Sequence, residues 1–318
     1  MNVLVTGGAG FIGSHLADRL VERGDTVTIV DSFDPFYNET IKRRNIAPVL
    51  LSGHAKLLEI DITDENELDA ALGESAFDGI VHLAARAGVR PSIERPMEYV
   101  RTNIDGTQSM LNIALRRGVR PIVFGSSSSV YGDSTPVPFS ETAAVASPIS
   151  PYAATKRAAE LLCHAHAHLH SASIACLRLF TVYGPRQRPD LAIHKFARLM
   201  SEGRAIPFFG DGTTERDYTY IADIISGIER SLDWAVGAEP GAFEIINLGE
   251  SVTTTLARLV EMIGAELGTE PVLQRMSHQA GDVQKTFADV THARELLGYD
   301  PRTTMEEGIR RFVEWFRA

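Results

Sequence analysis

A tyrosine and a lysine four residues apart offer acid–base chemistry on one face of a helix. Tyr152 and Lys156 begin a helix that we predict over residues 151–170, and positions i and i+4 are neighbours on a helix surface. A cation beside a phenol favours the phenolate and lowers a pKa that is ordinarily about 10. Tyr152 is therefore a candidate general base for a hydroxyl group. Because this spacing more often marks an exposed helical pair, the interpretation depends on the neighbouring motifs.

A run of hydroxyl side chains follows one of the predicted strands. The strand covers residues 122–124, and residues 125–132 then read GSSSSVYG. Ligands of parallel sheets bind beyond the carboxyl ends of the strands. The serines therefore supply hydroxyl groups at the edge of the sheet where a ligand is expected.

The chain opens with a glycine-rich turn between a strand and a helix, since residues 6–13 read TGGAGFIG. Glycines permit positive φ and let backbone N–H groups approach a pyrophosphate at the helix N-terminus. Asp31 ends the next strand, where a carboxylate accepts hydrogen bonds from an adenosine ribose and repels a 2′-phosphate. This context favours NAD binding, and NAD over NADP, against the alternative of a purely structural turn. The residues assigned to the cofactor in the turn are Gly7, Gly10, Phe11, Ile12 and Gly13.

Further cofactor contacts are expected at the ends of the third and fourth strands. Asp61 and Ile62 directly follow the third strand, where they would flank the adenine. Leu83, Ala84 and Ala85 end the fourth strand and are small enough for the cofactor to lie across them. Helix or core packing is the alternative for the alanines, and their location favours the cofactor.

The elements that position these residues alternate in type along the first half of the chain. Strands are predicted at 2–6, 26–30, 56–60, 79–83, 122–124 and 173–179, and helices include 11–23, 96–117 and 151–170. This alternation predicts right-handed crossovers and a parallel sheet covered on both faces, which is a Rossmann-type, doubly wound α/β fold.

The pattern changes after Gly184, where arginine, proline and glycine become frequent. Residues 243–248 nevertheless form a further buried strand, so the first domain regains a strand late in the chain. We predict two interleaved domains, with a smaller C-terminal α/β domain that binds substrate. The NAD-binding domain would comprise residues 1–180 and 222–250, and the substrate domain residues 181–221 and 251–318.

Composition restricts partners and compartment. The 318 residues carry a formal net charge of −10, which argues against nucleic acid or an anionic membrane as a general partner. No apolar run approaches the roughly 20 residues needed to cross a bilayer, and the N-terminus lacks the basic segment and cleavage site of a secretory signal. With only Cys163 and Cys176, a disulfide framework is not expected and a cytoplasmic protein is predicted.

Four histidines on the predicted helix over residues 151–170 have spacings that would suit a metal, but we predict none. His164 and His168, and likewise His166 and His170, are four residues apart. Apart from Cys163, no nearby ligand completes a site, and adjacent pairs point to different faces. An exposed or interface helix is the favoured interpretation.

Together, these motifs resemble those of the extended short-chain dehydrogenases/reductases, and specifically nucleotide-sugar epimerases, over nearly the whole chain. The matching segments are TGGAGFIG, HLAA from His82, Asn103 with Gly106 and Thr107, SSSSVYG, YAATK, and RDYTYIADI from Arg216. The resemblance implies a catalytic triad of Ser127, Tyr152 and Lys156. Ser127 would bind the reacting sugar hydroxyl, and Lys156 would also hold the nicotinamide ribose. It further implies that Asn103 belongs to the cofactor site and that the protein is a homodimer.

Two segments are more similar to UDP-glucuronate 4-epimerases than to UDP-glucose 4-epimerases: RAGVRPS at 86–92 and FTVYGPRQRPD at 180–190. A glucuronate carboxylate must be desolvated, so its pocket needs a cation or several donors. Arg188 and Thr181 would supply them together with the serines, and UDP-glucose epimerases usually carry Asn at the position of Thr181. A solvated loop pair is the alternative for Arg186 and Arg188. The substrate contacts implied by the resemblance are Gly88, Arg90, Ser127, Ser128, Ser129, Tyr152, Thr181, Arg188, Pro207, Phe209, Arg216 and Gln279.

The implied reaction is NAD-dependent inversion at C4 of a UDP-sugar, from UDP-glucuronate to UDP-galacturonate through a 4-keto intermediate, with NAD tightly bound. UDP-glucose 4-epimerase and UDP-glucuronate decarboxylase remain alternatives. Related 4,6-dehydratases carry Asp-Glu at Ser128 and Ser129, and the decarboxylases keep the Glu, so dehydration is poorly supported here. A non-catalytic NAD-sensing scaffold is a further alternative, which the intact Ser127, Tyr152 and Lys156 disfavour.

Overall fold

The computed structural model describes residues 1–277 and 283–318, and its centre is a parallel sheet. The strands are β1 (Asn2–Thr6), β2 (Thr26–Val30), β3 (Ala55–Leu58), β4 (Gly79–His82), β5 (Pro121–Ser127), β6 (Ser173–Leu179), β7 (Thr181–Tyr183), β8 (Ile206–Phe209), β9 (Glu215–Tyr220), β10 (Phe243–Leu248), β11 (Thr253–Thr255) and β12 (Leu273–Met276). Within the described residues the large sheet has the order β10-β6-β5-β4-β1-β2-β3, and all neighbours run parallel. The strand order reverses between β1 and β4, which is where ligands bind to doubly wound sheets.

Helices cover both faces of this sheet because its strands are apolar on both sides. The helices are α1 (Phe11–Glu22), α2 (Glu39–Leu51), α3 (Glu65–Leu72), α4 (Val89–Glu94), α5 (Pro96–Val100), α6 (Gly106–Arg116), α7 (Pro151–His170), α8 (Ala192–Ser201), α9 (Ile221–Gly237), α10 (Leu256–Leu267), α11 (Thr291–Leu297) and α12 (Met305–Arg317). Val3 and Val5 of β1 pack in one core with α1, α2 and α9. Leu4 between them packs in the opposite core with α3, α6 and α7.

The prediction of one continuous helix over residues 96–117 is wrong, because the helix is interrupted near its middle. A π-helical turn over Arg101–Asp105 separates α5 from α6. The Thr107 hydroxyl donates to the carbonyl oxygen of Asn103 at 2.7 Å, and such hydrogen bonds to a preceding turn often bend helices. π-Helical turns recur at functional sites, and this one carries Asn103.

Smaller sheets come from the second half of the chain. Strand β9 pairs with β7 on one side and with β11 on the other, and β8 pairs with β12. Strand β10 instead lies beside β6 at the end of the large sheet. The predicted doubly wound fold and its late strand are confirmed, whereas the domain boundaries stay a prediction.

No helix in the described residues is both long and apolar enough to cross a membrane. Cys163 on α7 and Cys176 on β6 are free, buried thiols.

Candidate active site

The glycine-rich turn between β1 and α1 follows a backbone path that side chains would block. Gly7 has a φ of +69°, and a Cβ atom there would lie 2.7 Å from the backbone nitrogen of Ala84. A Cβ atom on Gly13 would collide with the carbonyl oxygen of Gly7. The first N–H groups of α1 have no partners within the helix. The turn therefore brings backbone donors to the β1–β4 crevice, in an arrangement suited to a pyrophosphate.

Asp31 directly follows β2, and its carboxylate is largely buried. Its Oδ2 accepts a hydrogen bond from the N–H of Ala9 at 3.1 Å, and its Oδ1 accepts one from the N–H of Phe33 at 2.9 Å. Burial raises the pKa of Asp31, while the charge of Lys42, 4.0 Å away, and the two backbone donors lower it. A carboxylate has about four acceptor positions, so Asp31 can fix the turn and still accept hydrogen bonds from a ribose.

A cavity of about 410 Å³ lies at the carboxyl ends of the parallel strands, within the usual size range of small-molecule sites. Five predicted substrate residues line it: Gly88, Ser127, Tyr152, Thr181 and Arg188. The predicted cofactor residues that line the same cavity are Gly7, Gly10, Phe11, Ile12, Gly13, Asp31, Asp61, Ile62, Leu83, Ala84, Ala85, Tyr152 and Lys156. The predicted cofactor residues and the predicted reacting groups thus share one continuous space.

Asn103 does not line the cavity but is hydrogen-bonded to Arg86, which does. Its Oδ1 accepts a hydrogen bond from the Arg86 N–H at 2.8 Å, and its Nδ2 donates to the Arg86 carbonyl oxygen at 3.0 Å. The same Nδ2 donates to the hydroxyl of Thr155 on α7 at 3.0 Å. Asn103 therefore acts on the cofactor site through the backbone that follows β4.

Helix α7 begins at the cavity and carries both members of the tyrosine–lysine pair. Ser150 caps the helix by accepting a hydrogen bond from the N–H of Ala153 at 3.1 Å, which fixes the first turn. Lys156 is buried, and its Nζ donates to the carbonyl oxygen of Gly125 at 2.8 Å. Burial lowers the pKa of Lys156 to about 8. Lys156 thus ties the start of α7 to the end of β5.

The cation that acts most on the Tyr152 phenol is Arg188. Burial raises the pKa of Tyr152, and a hydrogen bond with Ser127 and the charge of Arg188 lower it. The i,i+4 spacing predicts instead that Lys156 depresses this pKa. That expectation is not met in this geometry, because the ammonium group is directed at Gly125 and burial dominates. Ser127 and Arg188 are the groups that favour the phenolate.

Ser127 lines the cavity, and the next two serines lie outside its lining. Ser127 ends β5, and Ser128 and Ser129 continue into a 3₁₀ turn over Ser128–Tyr131. The Ser127 hydroxyl accepts a hydrogen bond from the Ser129 N–H and donates one to the Ser129 hydroxyl, both at 3.2 Å. Ser129 therefore acts on the cavity through Ser127.

Arg188 reaches the cavity from the segment between β7 and α8. Its Nε and Nη2 donate to the two carboxylate oxygens of Asp190, at 3.0 and 2.7 Å. Its guanidinium lies over the ring of Phe36, with the carbon 5.1 Å from the ring centre. Two-bond pairs of this kind fix the plane of a guanidinium. Arg188 and Thr181 both line the cavity, and their role in holding a sugar carboxylate stays a prediction.

Four other predicted substrate residues are not among those that line the cavity: Arg90, Pro207, Phe209 and Arg216. Pro207 and Phe209 belong to β8, and the guanidinium carbon of Arg90 on α4 lies 5.4 Å from the centre of the Phe209 ring. Arg216 on β9 donates from Nη1 to the main-chain oxygen of the preceding residue at 2.9 Å. Gln279 lies outside the described residues. Their place at the nucleotide end of the substrate stays a prediction.

The loop between β2 and α2 contributes cavity residues that sequence reasoning missed. Asp34, Phe36 and Tyr37 line the cavity, and Asp34 forms an ion pair with Arg86 at 2.6 Å. Lys42 also lines it, with its Nζ 4.8 Å from the centre of the Tyr37 ring. The position of this loop could have indicated these residues, because the loop follows the carboxyl end of β2 and the carboxylate of Asp31.

The histidines of α7 make aromatic contacts. The rings of His166 and His170 are 4.8 Å apart, and His164 packs edge-on against Phe243 at 5.0 Å. Among the described residues, no group of three or more His, Cys, Asp or Glu side chains is arranged to hold a metal ion.

A dinucleotide turn and a tyrosine–lysine helix that open into one cavity are the arrangement of the extended short-chain dehydrogenases/reductases. Within that class, the model of the NAD dependent epimerase/dehydratase family matches residues 3–249, and the chain belongs to this family. The resemblance found in the sequence motifs is thereby confirmed.

Relatives match over the full length of the chain. A UDP-glucuronate 4-epimerase from Thermodesulfobacterium geofontis is 39% identical over 313 residues, which cover 98% of this chain and 95% of the relative. The crystal structure of UDP-glucuronic acid 4-epimerase from Bacillus cereus, in complex with UDP-glucuronic acid and NAD, has a TM-score of 0.92 at 34% identity and covers 100% of this chain and 99% of that chain. The UDP-glucose 4-epimerase of Thermotoga maritima with UDP-glucose has a TM-score of 0.88 at 34% identity, with the same coverage.

Proposed function

We propose that the protein is an NAD-dependent UDP-glucuronate 4-epimerase, which interconverts UDP-glucuronate and UDP-galacturonate. The observation that carries the proposal is the shared cavity. Ser127, Tyr152 and Lys156 line the same space as the dinucleotide turn, and the charge of Arg188 acts on the phenol. The names of the Thermodesulfobacterium and Bacillus proteins support the choice of sugar.

The residues around the turn fit NAD. A side chain at Gly7 would collide with the backbone of Ala84, and one at Gly13 with the carbonyl oxygen of Gly7, so only glycines keep the turn that would hold the pyrophosphate. Asp31, with Asp61 and Ile62, would hold the adenosine, and its carboxylate disfavours a 2′-phosphate. Lys156 would hold the nicotinamide ribose. NAD held by these residues would supply the acceptor for the C4 hydride of the sugar and the donor that gives it back.

Tyr152 removes the proton of the C4 hydroxyl. It returns the proton after the 4-keto sugar has rotated to present its opposite face. Ser127 hydrogen-bonds the same hydroxyl and the phenol, so the proton moves between groups that are already aligned. Arg188 lowers the free energy of the phenolate because it places a positive charge beside it. At neutral pH Lys156 is mostly protonated, since its pKa is about 8, and it adds a second cation to the cavity.

The serines after β5 support epimerisation over the loss of water or CO₂. Elimination at C6 needs an acid and a base in addition to the tyrosine, and neither Ser128 nor Ser129 fills such a role. The 4-keto form of glucuronate is a β-keto acid, which loses CO₂ when its carboxylate bond aligns with the ketone π system. Arg188 and Thr181 would hold the carboxylate away from that alignment.

One experiment tests the proposal against its alternatives. The purified protein, without added NAD, is incubated separately with UDP-glucuronate and with UDP-glucose, and the products are identified by NMR. We expect UDP-galacturonate from the first and no turnover of the second. UDP-galactose would instead indicate the neutral-sugar epimerase, and UDP-xylose or a 4-keto-pentose would indicate a decarboxylase. No product from either sugar would leave a non-catalytic NAD-binding protein.

We also propose that the protein is a homodimer that assembles through α7 and acts in the cytoplasm, where its two thiols stay reduced. The support is a helix face with i, i+3, i+4, i+7 spacing that is exposed in the single chain. Its residues are Leu161, His164, Ala165, His168 and Leu169. The molar mass in solution tests the assembly: Leu161→Glu should give monomers, and Leu51→Glu, on an exposed position of α2, should leave dimers intact. A monomeric wild-type protein would contradict the proposal.

A further inference from the structure

A carboxylate that the proposed mechanism does not use lies buried beside the active site. Glu160 is on α7, one turn after Lys156, and 0% of it is exposed to solvent. Its partner Arg178 on β6 is 1% exposed. Nε and Nη2 of Arg178 donate to Oε1 and Oε2 of Glu160, both at 3.0 Å. Since the attraction within a buried ion pair often fails to offset its desolvation, stability alone is a weak reason for these charges.

Glu160 also bonds the strand that carries the active-site serine. The hydroxyl of Ser126 donates to Glu160 Oε1 at 2.6 Å. Ser126 lies between Gly125, whose carbonyl oxygen accepts the Lys156 ammonium group at 2.8 Å, and Ser127. The carboxylate therefore fixes α7 to β5 at the residue between the two backbone positions that the proposed mechanism uses.

Arg178 extends the same connection across the sheet. It pairs with Ser126 in the register of β5 and β6, and its guanidinium carbon lies 4.7 Å from the centre of the Tyr131 ring. The Tyr131 hydroxyl donates to Oδ1 of Asn247 on β10 at 2.7 Å. The buried ion pair thus holds α7 against β5 and β6, and Tyr131 connects it to β10.

Glu160 supplies negative charge near Lys156. Of the described titratable groups around Lys156, Tyr152 and Cys163 share α7 with Glu160, His82 faces it from β4 and Cys176 faces it from β6. Burial lowers the pKa of His82 to about 3 and raises that of Cys176 well above its ordinary value, so both are neutral at pH 7. Burial opposes the ionisation of Glu160, but its ion pair with Arg178 holds the pKa below the ordinary value.

We propose that Glu160 is a positioning residue for the reaction: through Arg178 and Ser126 it sets the placement of α7 against β5, and its charge stabilises the ammonium form of Lys156. The inference rests on the proposed function for the roles of Ser127 and Lys156. The coupling between Glu160 and Lys156, however, can be measured without any sugar.

The test compares three variants with the wild type. Glu160→Gln keeps the shape and removes the charge, Ser126→Ala removes only the bond to β5, and Arg157→Gln is the matched control. Arg157 donates to the same carboxylate at 2.9 Å but is partly exposed. The chain has five lysines, so the Lys156 Cε resonance can be followed by NMR in protein labelled with ¹³C-lysine and assigned with Lys156→Met.

We expect the Lys156 titration to move to lower pH in Glu160→Gln and to stay at the wild-type pH in Ser126→Ala and Arg157→Gln. For epimerisation, kcat should fall roughly tenfold or more in Glu160→Gln and in Ser126→Ala with KM within about threefold, because small misplacements of reacting groups cost rate more than binding. The alkaline limb of the kcat profile should also move to lower pH in Glu160→Gln. Arg157→Gln should stay within about twofold of the wild type in kcat.

An unchanged Lys156 titration in Glu160→Gln would overturn the proposed charge coupling, whether or not the protein epimerises a sugar. A wild-type kcat in both Glu160→Gln and Ser126→Ala would overturn the positioning role. If Glu160→Gln does not fold because Arg178 is left unpaired, Glu160→Gln/Arg178→Met removes both charges and should shift the Lys156 titration in the same direction by a smaller amount, because the Arg178 cation is lost as well. A wild-type protein that turns over no sugar contradicts the proposed function and leaves the NMR result to decide the coupling.

Discussion

The guanidinium of Arg188 acts on two side chains: it is paired with the carboxylate of Asp190, and its charge favours the phenolate of Tyr152. Asp190 takes two of its N–H groups, at 3.0 and 2.7 Å, and holds it in one plane. Its positive charge meanwhile favours the Tyr152 phenolate. A sugar carboxylate that enters the cavity meets a cation whose orientation is already fixed. Binding such a carboxylate costs little reordering of the side chain, which favours control of its angle in the 4-keto intermediate.

Arg188→Ala should therefore slow epimerisation and raise the share of 4-keto-pentose among the products. The carboxylate of the intermediate would then rotate into alignment with the ketone, and Ser129→Glu should act in the same direction. The product ratio from UDP-glucuronate, measured by NMR, checks both variants. Arg186→Gln is the control, since Arg186 pairs with Asp18 at 2.7 Å on the side of α1. Product ratios equal to those of the wild type would contradict this role for Arg188.

Asp31→Asn should weaken retention of NAD and relax the preference against NADP. The amide keeps the size of the carboxylate but loses the charge that repels a 2′-phosphate. The nucleotide released from the purified, denatured protein can be identified and counted by chromatography, after incubation with NAD or NADP. Glu39→Gln changes an exposed carboxylate at the start of nearby α2 and should leave the wild-type NAD content. If Asp31→Asn retains the wild-type NAD content and still excludes NADP, the proposed role of Asp31 in binding the cofactor is contradicted.

At the scale of elements, buried parallel strands are the part of this fold that sequence reveals best. The bounds predicted for β1, β2, β6 and β10 agree with the structure, because each is a short run rich in apolar residues. A glycine or an aspartate follows β1, β2 and β10 directly. The π-helical turn over Arg101–Asp105 left no such pattern. Its geometry depends on Thr107 and on the contacts of Asn103 with distant segments, which no local spacing records.

In the candidate site, too, the features that depend on local sequence were predictable and those that depend on tertiary contacts were not. The glycines lie in one turn and the tyrosine–lysine pair lies on one helix, so the spacing of each motif along the sequence identifies it. Side-chain direction is set by tertiary contacts, and Lys156 therefore turned out to bond Gly125. Asp34 and Phe36 were missed because their partners, Arg86 and Arg188, are distant in sequence.

Gly13→Ala should destabilise the junction of β1 and α1 and reduce NAD retention together. The added methyl group would collide with the carbonyl oxygen of Gly7, so the turn must shift, at a cost of about 1–3 kcal/mol for overpacking. Urea unfolding gives the loss of unfolding free energy, and nucleotide content gives the loss of cofactor. Gly237→Ala is the matched control, since a Cβ atom there meets no atom within 4 Å. Equal effects of the two substitutions would contradict the steric argument.

At the scale of the molecule, a buried carboxylate joins the small sheet to the end of the large one. Asp217 on β9 is fully buried and accepts hydrogen bonds from the N–H groups of Glu250, Ser251 and Ala288, at 2.8, 3.0 and 3.1 Å. These donors belong to the segment after β10 and to the segment before α11. The small sheet is thus held to the segments that follow β10 and precede α11.

This junction should make the stability of the whole protein depend on pH. Burial and the negative charges of Asp223 and Asp217 raise the pKa of Glu250 to about 8, compared with about 4.3 for an exposed glutamate. Between these values the folded protein binds a proton that the unfolded chain does not bind. The free energy of unfolding therefore falls as pH rises through this window and levels off above about pH 8.

Glu250→Gln should remove that decline, so the variant should gain stability relative to the wild type as the pH is raised from 5 to 8. Urea unfolding at pH 5, 6.5 and 8 measures the difference at each pH. Glu266→Gln, on an exposed position of α10, should differ from the wild type by a constant and small amount. A Glu250→Gln difference that stays the same at all three pH values would show that Glu250 ionises normally, and that this junction tolerates three carboxylates without binding a proton.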